Sequence, residues 1–303
     1  MIIELSETKS ESIFNDILFD FVIAKSPKTY EAPTAIILGG QPGAGKSFLV
    51  KEVEQEFQKE FIFISTDDLR LYHPAYQKLQ KSPDTVQNAA NLVNPYASAW
   101  TEKLIKYCIE NKYNIIIDST LGGNIRAVYD TVDMLRTGGF EFHLRLMAVP
   151  SLVSKLSIFL RYESQLIEKG FARWTRIEDH DDRFEKIPQV LEQIISNKPP
   201  DTIRFFRRNL SDKITISLEP SQLFAFDNDS FSNFVFLEQF HLFRNQIPET
   251  AFNFIEHAIR QIFTSKKLEN THKDMLKVIL TDEMKQSKGQ FKNLLSRLIN
   301  EQN

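Results

Sequence analysis

The 303 residues carry 37 lysines and arginines against 40 aspartates and glutamates, a formal charge of −3, with 42% hydrophobic side chains. That size and apolar content build one large domain, or a domain with a helical appendage, and the near-balanced charge argues against a nucleic-acid or membrane-surface field. The single cysteine, Cys108, excludes an internal disulfide and fits a reducing compartment, and no apolar run nears the ~20 residues of a membrane span.

Residues 8–25 read as an amphipathic helix, with Ile13, Ile17, Leu18, Phe21 and Val22 on one face. Residues 34–38 form an apolar run ended by glycine, hence a buried strand, and a helix follows over 46–59. "FIFIS" at 61–65 is a second strand. A helix over 97–111 precedes the strand "NIIID" at 114–118. A helix over 125–137 leads to the strand 142–149, a helix over 151–169 comes next, and "TIRFFRR" at 202–208 is a candidate fifth strand. Strands alternating with helices predict an α/β fold, a parallel sheet with helices on both faces. From about 219 onward the pattern turns helical, over 232–245, 249–265 and 272–301. The expected organisation is an N-terminal helical segment (1–33), a core (34–215) and a helical C-terminal extension (216–303).

Between the first strand and its helix stands "GQPGAGKS", residues 40–47. Gly40, Gly45, Lys46 and Ser47 satisfy the phosphate-binding loop pattern in the strand–turn–helix context it requires. Such a loop, with Gln41, Pro42, Gly43 and Ala44 completing it, turns a nest of backbone N–H groups and a helix N-terminus toward phosphates. Lys46 reaches the β/γ-phosphates and Ser47 ligates Mg²⁺, so ATP with Mg²⁺ is the expected pair.

Asp67 and Asp68 follow the second strand, at the sheet edge where open parallel sheets bind ligands. One of them is a candidate base for an attacking hydroxyl, and the other a helix cap. Arg70 is placed to clamp phosphate. Asp118 and Thr120 repeat the geometry after the third strand, suited to Mg²⁺ or to an acceptor. Arg161, Arg173, Arg176 and Arg183 suit neutralisation of a transferred phosphoryl group, or equally an ion-paired helix face beside Glu163, Glu168, Glu178, Asp179, Asp181 and Asp182.

Taken together, "LGGQPGAGKS", "TDDLRLYHPAY", "NIIIDSTL" and "RYE" followed by "ARWTRIEDHD" resemble the zeta toxin family of bacterial toxin–antitoxin systems, in order over residues 27–181. The resemblance implies a P-loop kinase core in the bacterial cytoplasm, compatible with signal-independent export. It implies phosphorylation of UDP-N-acetylglucosamine at the sugar 3′-hydroxyl, which poisons cell-wall precursor synthesis, and restraint by a small helical antitoxin. It selects Asp67 as base, makes Lys46, Arg161 and Arg173 the catalytic cations, and assigns Tyr76, Glu102, Asp118 and Thr120, with Arg70, to the acceptor. His73 takes a structural hydrogen bond. Two positions depart from the pattern: Asp118 replaces a glutamate, and Gly122 stands where an arginine is usual, with Arg126 one turn on as a substitute.

The competing readings are a polynucleotide or nucleoside kinase, which a balanced charge disfavours, and a non-catalytic nucleotide switch, which has no need of Asp67. Eight basic side chains against five acids over 264–303 leave the tail as a solvated helix, a partner surface or an autoinhibitory element.

Overall fold

The computed structural model describes residues 3–82, 84–86, 88–210, 217–222, 224–225 and 230–302. The expected parallel sheet with helices on both faces is what forms. Strands β1 (Thr34–Gly39), β2 (Ile62–Ile64), β3 (Ile115–Asp118), β4 (Glu141–Met147) and β5 (Thr202–Asn209) lie in the order β2-β3-β1-β4-β5, all parallel. Two short strands, β6 (Ser217–Pro220) and β7 (Phe224–Ala225), each pair antiparallel with β5. The expected boundary at 215/216 lies outside the described residues.

The two-residue period of β1 sorts the core. Ala35 and Ile37 face one apolar cluster, Ile36 and Leu38 the other. The first face is covered by α1 (Glu7–Phe21), α5 (Ala89–Glu110), α6 (Ile125–Thr137), α8 (Ile177–Asn197) and α9 (Ser230–Asn245), through residues such as Ile17, Trp100, Leu135, Leu191 and Phe240. The second is covered by α2 (Ser47–Phe57), α7 (Ser151–Lys169), α10 (Phe252–Thr264), α11 (Asn270–Gln286) and α12 (Gly289–Asn300), through Leu49, Leu156, Ile259, Leu280 and Leu298. The helical tail therefore packs on the sheet's two faces, α9 on one and α10–α12 on the other. A fully buried leucine stabilises by about 1.5–3 kcal/mol, so Leu295 and Leu298 alone tie α12 down firmly.

Three elements differ from the sequence reading. The helix expected from 97 begins at Ala89, because Ala89 and Val93 are buried against Tyr76 and Leu79 of α4 (Tyr76–Lys81), and Pro95 sits inside it. The stretch 272–301 is two helices, broken at Gly289, whose φ of 59° is left-handed. Helix α8 lies under a run of charges that reads as a solvated face, yet its Ile187, Leu191 and Ile194 are buried.

Candidate active site

The carboxyl ends of β1, β2, β3 and β5 open into one cleft of about 950 Å³. Pro42, Gly43, Gly45, Lys46 and Ser47 form its floor beside α7. At Gly43, with φ of 78°, an added Cβ would stand 2.1 Å from the Ser154 carbonyl oxygen, so only glycine lets the loop lie this close to the helix. Gln41 is fully buried below the loop. Its Nε2 donates to the Val149 carbonyl at 2.8 Å and to Ser154 Oγ at 3.2 Å. Ser154 Oγ is 2.8 Å from His180 Nε2, His180 Nδ1 is 2.8 Å from Asp181, and Lys155 pairs with Asp181 at 2.8 Å. Burial lowers the His180 pKa against the pull of Asp181. A neutral ring then donates from Nδ1 to Asp181 and accepts from Ser154 at Nε2. The loop is thus braced from beneath by a chain of groups that never reaches the cleft.

Lys46 Nζ donates to the Gly40 carbonyl at 3.0 Å and lies 3.7 Å from Asp118 Oδ1. Asp118 Oδ2 accepts from Ser65 Oγ at 3.3 Å, while its Oδ1 is buried with no hydrogen bond. An orphaned carboxylate oxygen beside the P-loop lysine, with Ser47 on the same cleft wall, fits a Mg²⁺ held partly through water. No cluster of three or more His, Cys, Asp or Glu side chains suited to a metal occurs among the described residues.

Asp67 opens the short helix α3 (Thr66–Leu69) with Thr66 and lines the cleft, whereas Asp68 does not. Arg70 pairs with Asp67 Oδ1 and Arg173 with Asp67 Oδ2, and Arg70 also donates to Asn94 at 2.7 Å. Enclosure by itself raises the Asp67 pKa. Arg173 and then Arg70 outweigh it and bring the value down to about 2. Enclosure, then Asp67 and Asp118, raise the pKa of Asp68. Arg161 donates to Thr175 Oγ1 at 2.8 Å, and the Arg173 backbone N–H donates to Gln165 at 3.0 Å. Between them Trp174 is buried edge-on against Phe159, Tyr162 and His272 of α11, which fixes the segment carrying both arginine contacts.

Of the residues singled out from the sequence, Pro42, Gly43, Gly45, Lys46, Ser47, Asp67, Arg70, Asp118, Thr120, Arg161 and Arg173 line this one cleft. Gly40, Gln41 and Ala44 support the loop from behind. Tyr76 is buried next to Arg70 rather than in the wall. Glu102 is exposed on α5 outside the lining, and Ser98, one turn earlier, takes the place in the wall. His73 makes a structural contact, Nε2 lying 3.1 Å from the Ile3 carbonyl oxygen.

The Gly122 departure has a structural counterpart. A Cβ there would meet the Arg183 carbonyl oxygen at 2.8 Å, and Arg183 Nη1 donates back to the Gly122 carbonyl at 2.5 Å. Arg183 lines the cleft in the space a side chain at 122 would need. Arg126, the substitute suggested by sequence, instead pairs with Asp130 at 3.0 Å, with its side chain 80% exposed and outside the wall. Sequence reading gave no role to Asn91, Asn94, Ser98, Arg208 or Phe254, all of which line the cleft.

A phosphate-binding loop at the edge of a parallel sheet, faced by a carboxylate and a ring of arginines, defines a P-loop phosphotransferase of the kinase-like kind. The Zeta toxin family profile matches residues 21–215, and the chain belongs to that family. Toxin zeta of Streptococcus pyogenes is 32% identical over 221 residues, 72% of this chain and 74% of that protein. Toxin zeta of Enterococcus hirae is 33% identical over 69% of this chain and 71% of its own length. The fold is shared with a structure from the PezAT toxin–antitoxin system of Streptococcus pneumoniae, at a TM-score of 0.69 and 22% identity, over 87% of this chain and all of that one. It is shared too with an AvrRxo1-ORF1:-ORF2 structure with ATP, at a TM-score of 0.50 and 12% identity, over 97% of this chain and 87% of that one. No helix among the described residues is long and apolar enough to cross a membrane.

Proposed function

We propose that the protein is an ATP- and Mg²⁺-dependent kinase that phosphorylates a sugar hydroxyl of a UDP-activated amino sugar, on the pattern of UDP-N-acetylglucosamine 3′-phosphorylation. On this reading it acts as a toxin against cell-wall precursor synthesis, restrained by a helical antitoxin protein. The PezAT relative comes from a toxin–antitoxin system, and the AvrRxo1 structure is a complex with ATP; both are consistent with this reading.

The observation that carries it is Asp67, a carboxylate in the cleft wall that also holds Lys46, gripped by two arginines. A nucleotide switch has no use for it. Lys46 leaves the Gly40 carbonyl to meet the β/γ-phosphates, and Arg161 and Arg173 supply bidentate donors where charge develops on the transferred group. Held by both arginines, Asp67 is a weak base. Once Arg173 turns to the γ-phosphate, Asp67 keeps Arg70, frees Oδ2 to accept the acceptor hydroxyl proton, and rises in pKa as one cation departs. Ser47, and Asp118 through water, would hold Mg²⁺, which would supply charge neutralisation to the phosphates. On the acceptor side, Asn91, Asn94, Ser98 and Thr120 suit sugar hydroxyls, and Arg183 suits a diphosphate.

The test is mass spectrometry of UDP-N-acetylglucosamine, other UDP-sugars, free nucleosides and a 5′-hydroxyl oligonucleotide incubated with protein, ATP and Mg²⁺. A gain of one phosphate on a UDP-sugar, absent with Asp67→Ala, is the expected result. Phosphate on the oligonucleotide alone would replace this reading with end repair.

A further inference from the structure

Two elements build the wall that the proposed reaction turns to the acceptor. The segment after β2 supplies Thr66, Asp67 and Arg70, and α5 supplies Asn91, Asn94 and Ser98. On the cleft side, Arg70 donates to Asn94 at 2.7 Å, and Thr66 Oγ1 lies 3.1 Å from Thr101 Oγ1. The Arg70 bond joins two groups of the wall itself, so a bound ligand competes for both.

A second tie lies behind the wall. Tyr96, Trp100 and Lys103 recur at helical spacing on α5, roughly half a turn round from Asn94 and Ser98. His73, three residues after Arg70, packs on two of them, with ring centres 5.3 Å from Tyr96 and 6.4 Å from Trp100. His73 and Trp100 are buried and Tyr96 is half-buried. The polar tip of each ring ends on the same short stretch of chain, residues 3–10. His73 Nδ1 accepts from the Ala75 N–H at 3.3 Å, so Nε2 carries the proton and donates to the Ile3 carbonyl at 3.1 Å. Tyr96 Oη accepts from the Leu5 N–H at 2.8 Å, and Trp100 Nε1 donates to Ser10 Oγ at 3.0 Å. Ser6 caps α1, accepting from the Lys9 N–H at 3.2 Å, which sets where the extended stretch turns into the helix. Farther along α1, Glu11 pairs with Lys103, and Asp20 accepts from Tyr72 at 2.6 Å. None of these bonds involves residues 40–47.

We propose that residues 3–10 form a strap that holds the two halves of the acceptor wall in register, with His73, Tyr96 and Trp100 as positioning residues. The proposal rests on the reading of that wall as the acceptor side. The strap touches no ligand. It fixes the distance between Arg70 and the Asn94–Ser98 face from behind, where nothing bound in the cleft competes. The N-terminal segment therefore serves acceptor binding while the P-loop keeps its own, separate bracing.

The test is steady-state kinetics of the full-length protein with ATP and UDP-N-acetylglucosamine each varied, together with hydrogen–deuterium exchange. Tyr96→Phe keeps the ring and removes the Leu5 partner. Ser10→Ala removes the Trp100 partner, and Ser10→Thr restores a hydroxyl. The expected result is a KM for UDP-N-acetylglucosamine about three- to tenfold higher in Tyr96→Phe and Ser10→Ala, the equivalent of one lost hydrogen bond, with KM for ATP unchanged and recovery in Ser10→Thr. Exchange should quicken over residues 67–73 and 91–98 and stay as in wild type over 40–47. An unchanged acceptor KM would overturn the proposal, even with faster exchange, by reducing the strap to a tie within the fold. Equal losses for ATP and acceptor, or faster exchange over 40–47 as well, would overturn it as general loosening. Wild-type protein that transfers no phosphate to UDP-N-acetylglucosamine would sink the functional reading instead. Exchange then decides the strap alone: quickening confined to the two wall segments upholds it, and no change overturns it.

Discussion

Removing His180 tests whether the P-loop depends on the bracing beneath it. The side chain is fully buried, and its ring is stacked on Phe184 with centroids 6.1 Å apart. His180→Ala removes two hydrogen bonds, but both partners keep others. Ser154 Oγ also reaches the Pro150 and Ser151 carbonyls at 3.2 and 3.0 Å, and Asp181 keeps Lys155. The hydrogen-bond loss is therefore at the low end, about 0.5–1 kcal/mol each. The emptied ring volume adds about 2 kcal/mol, by comparison with other large-to-small core changes. Together they come to about 3 kcal/mol, which for a chain of this size lowers Tm by roughly 6–12 °C. The functional consequence is separate. Gln41 anchors the loop to Ser154, and a Ser154 hydroxyl freed to rotate loosens that anchor, so ATP affinity falls by about threefold to tenfold although His180 touches no ligand. Differential scanning calorimetry and ATP titration on the same variant read both quantities. A Tm within 2 °C of wild type, or a large Tm loss with unchanged ATP affinity, would refute the idea that this buried chain of groups positions the loop.

Three further outcomes follow from the same geometry. Asp67→Ala and Lys46→Ala each abolish phosphoryl transfer with Tm within about 3 °C of wild type, since both side chains face the cleft and neither opens a core void; activity near normal in Asp67→Ala would discard the base assignment. Gly122→Ala places its Cβ 2.8–2.9 Å from the Arg183 backbone, and the forced shift costs about 1–3 kcal/mol and raises KM for the acceptor more than for ATP, as steady-state kinetics with each substrate varied will show. His143 is buried, and that burial, with Arg145 beside it, holds its pKa near 4 against an ordinary 6.5. The native state therefore binds fewer protons than the unfolded chain in that interval, so this contribution is complete above pH 6.5 and is lost as pH falls toward 4, by up to about 3 kcal/mol. Urea unfolding of wild type and His143→Gln across pH 4–7.5 should converge at the acid end if this holds, and run parallel if it does not.

The sheet and most of the site were legible because their signals are local. Five apolar runs set the strands, and a glycine-rich turn ending in Lys46 and Ser47 announces phosphate without any partner being known. The aspartates could be placed at the sheet edge by position alone, but choosing Asp67 over Asp68 needed either the family pattern or the cleft itself. What stayed hidden depends on residues distant in sequence. Helix α8 hides because the apolar stripe from Ile187 begins after seven charged side chains, and its meaning comes from sheet contact rather than from composition. Arg183 reads as one charge among many until the structure sets it 61 residues away against Gly122. Glu102 shows the opposite failure: its register on α5 turns it to solvent, and only the helix's rotation against the sheet decides that.

Asp67 bears on how such an enzyme avoids idle chemistry. With both carboxylate oxygens taken by Arg70 and Arg173, the base of the proposed reaction would be masked whenever the γ-phosphate is absent, and on that proposal the same Arg173 is what the γ-phosphate attracts. In the proposed reaction one arginine thus reports nucleotide occupancy to the acceptor side. Its position in turn depends on Trp174, seated against His272 of the tail. Substitution of His272 by alanine should therefore reduce turnover more than ATP affinity, because it loosens the segment that carries Arg173 while leaving the P-loop intact. Stopped-flow transfer rates at saturating ATP measure this directly, and an unchanged rate would mean that the tail only stabilises the fold.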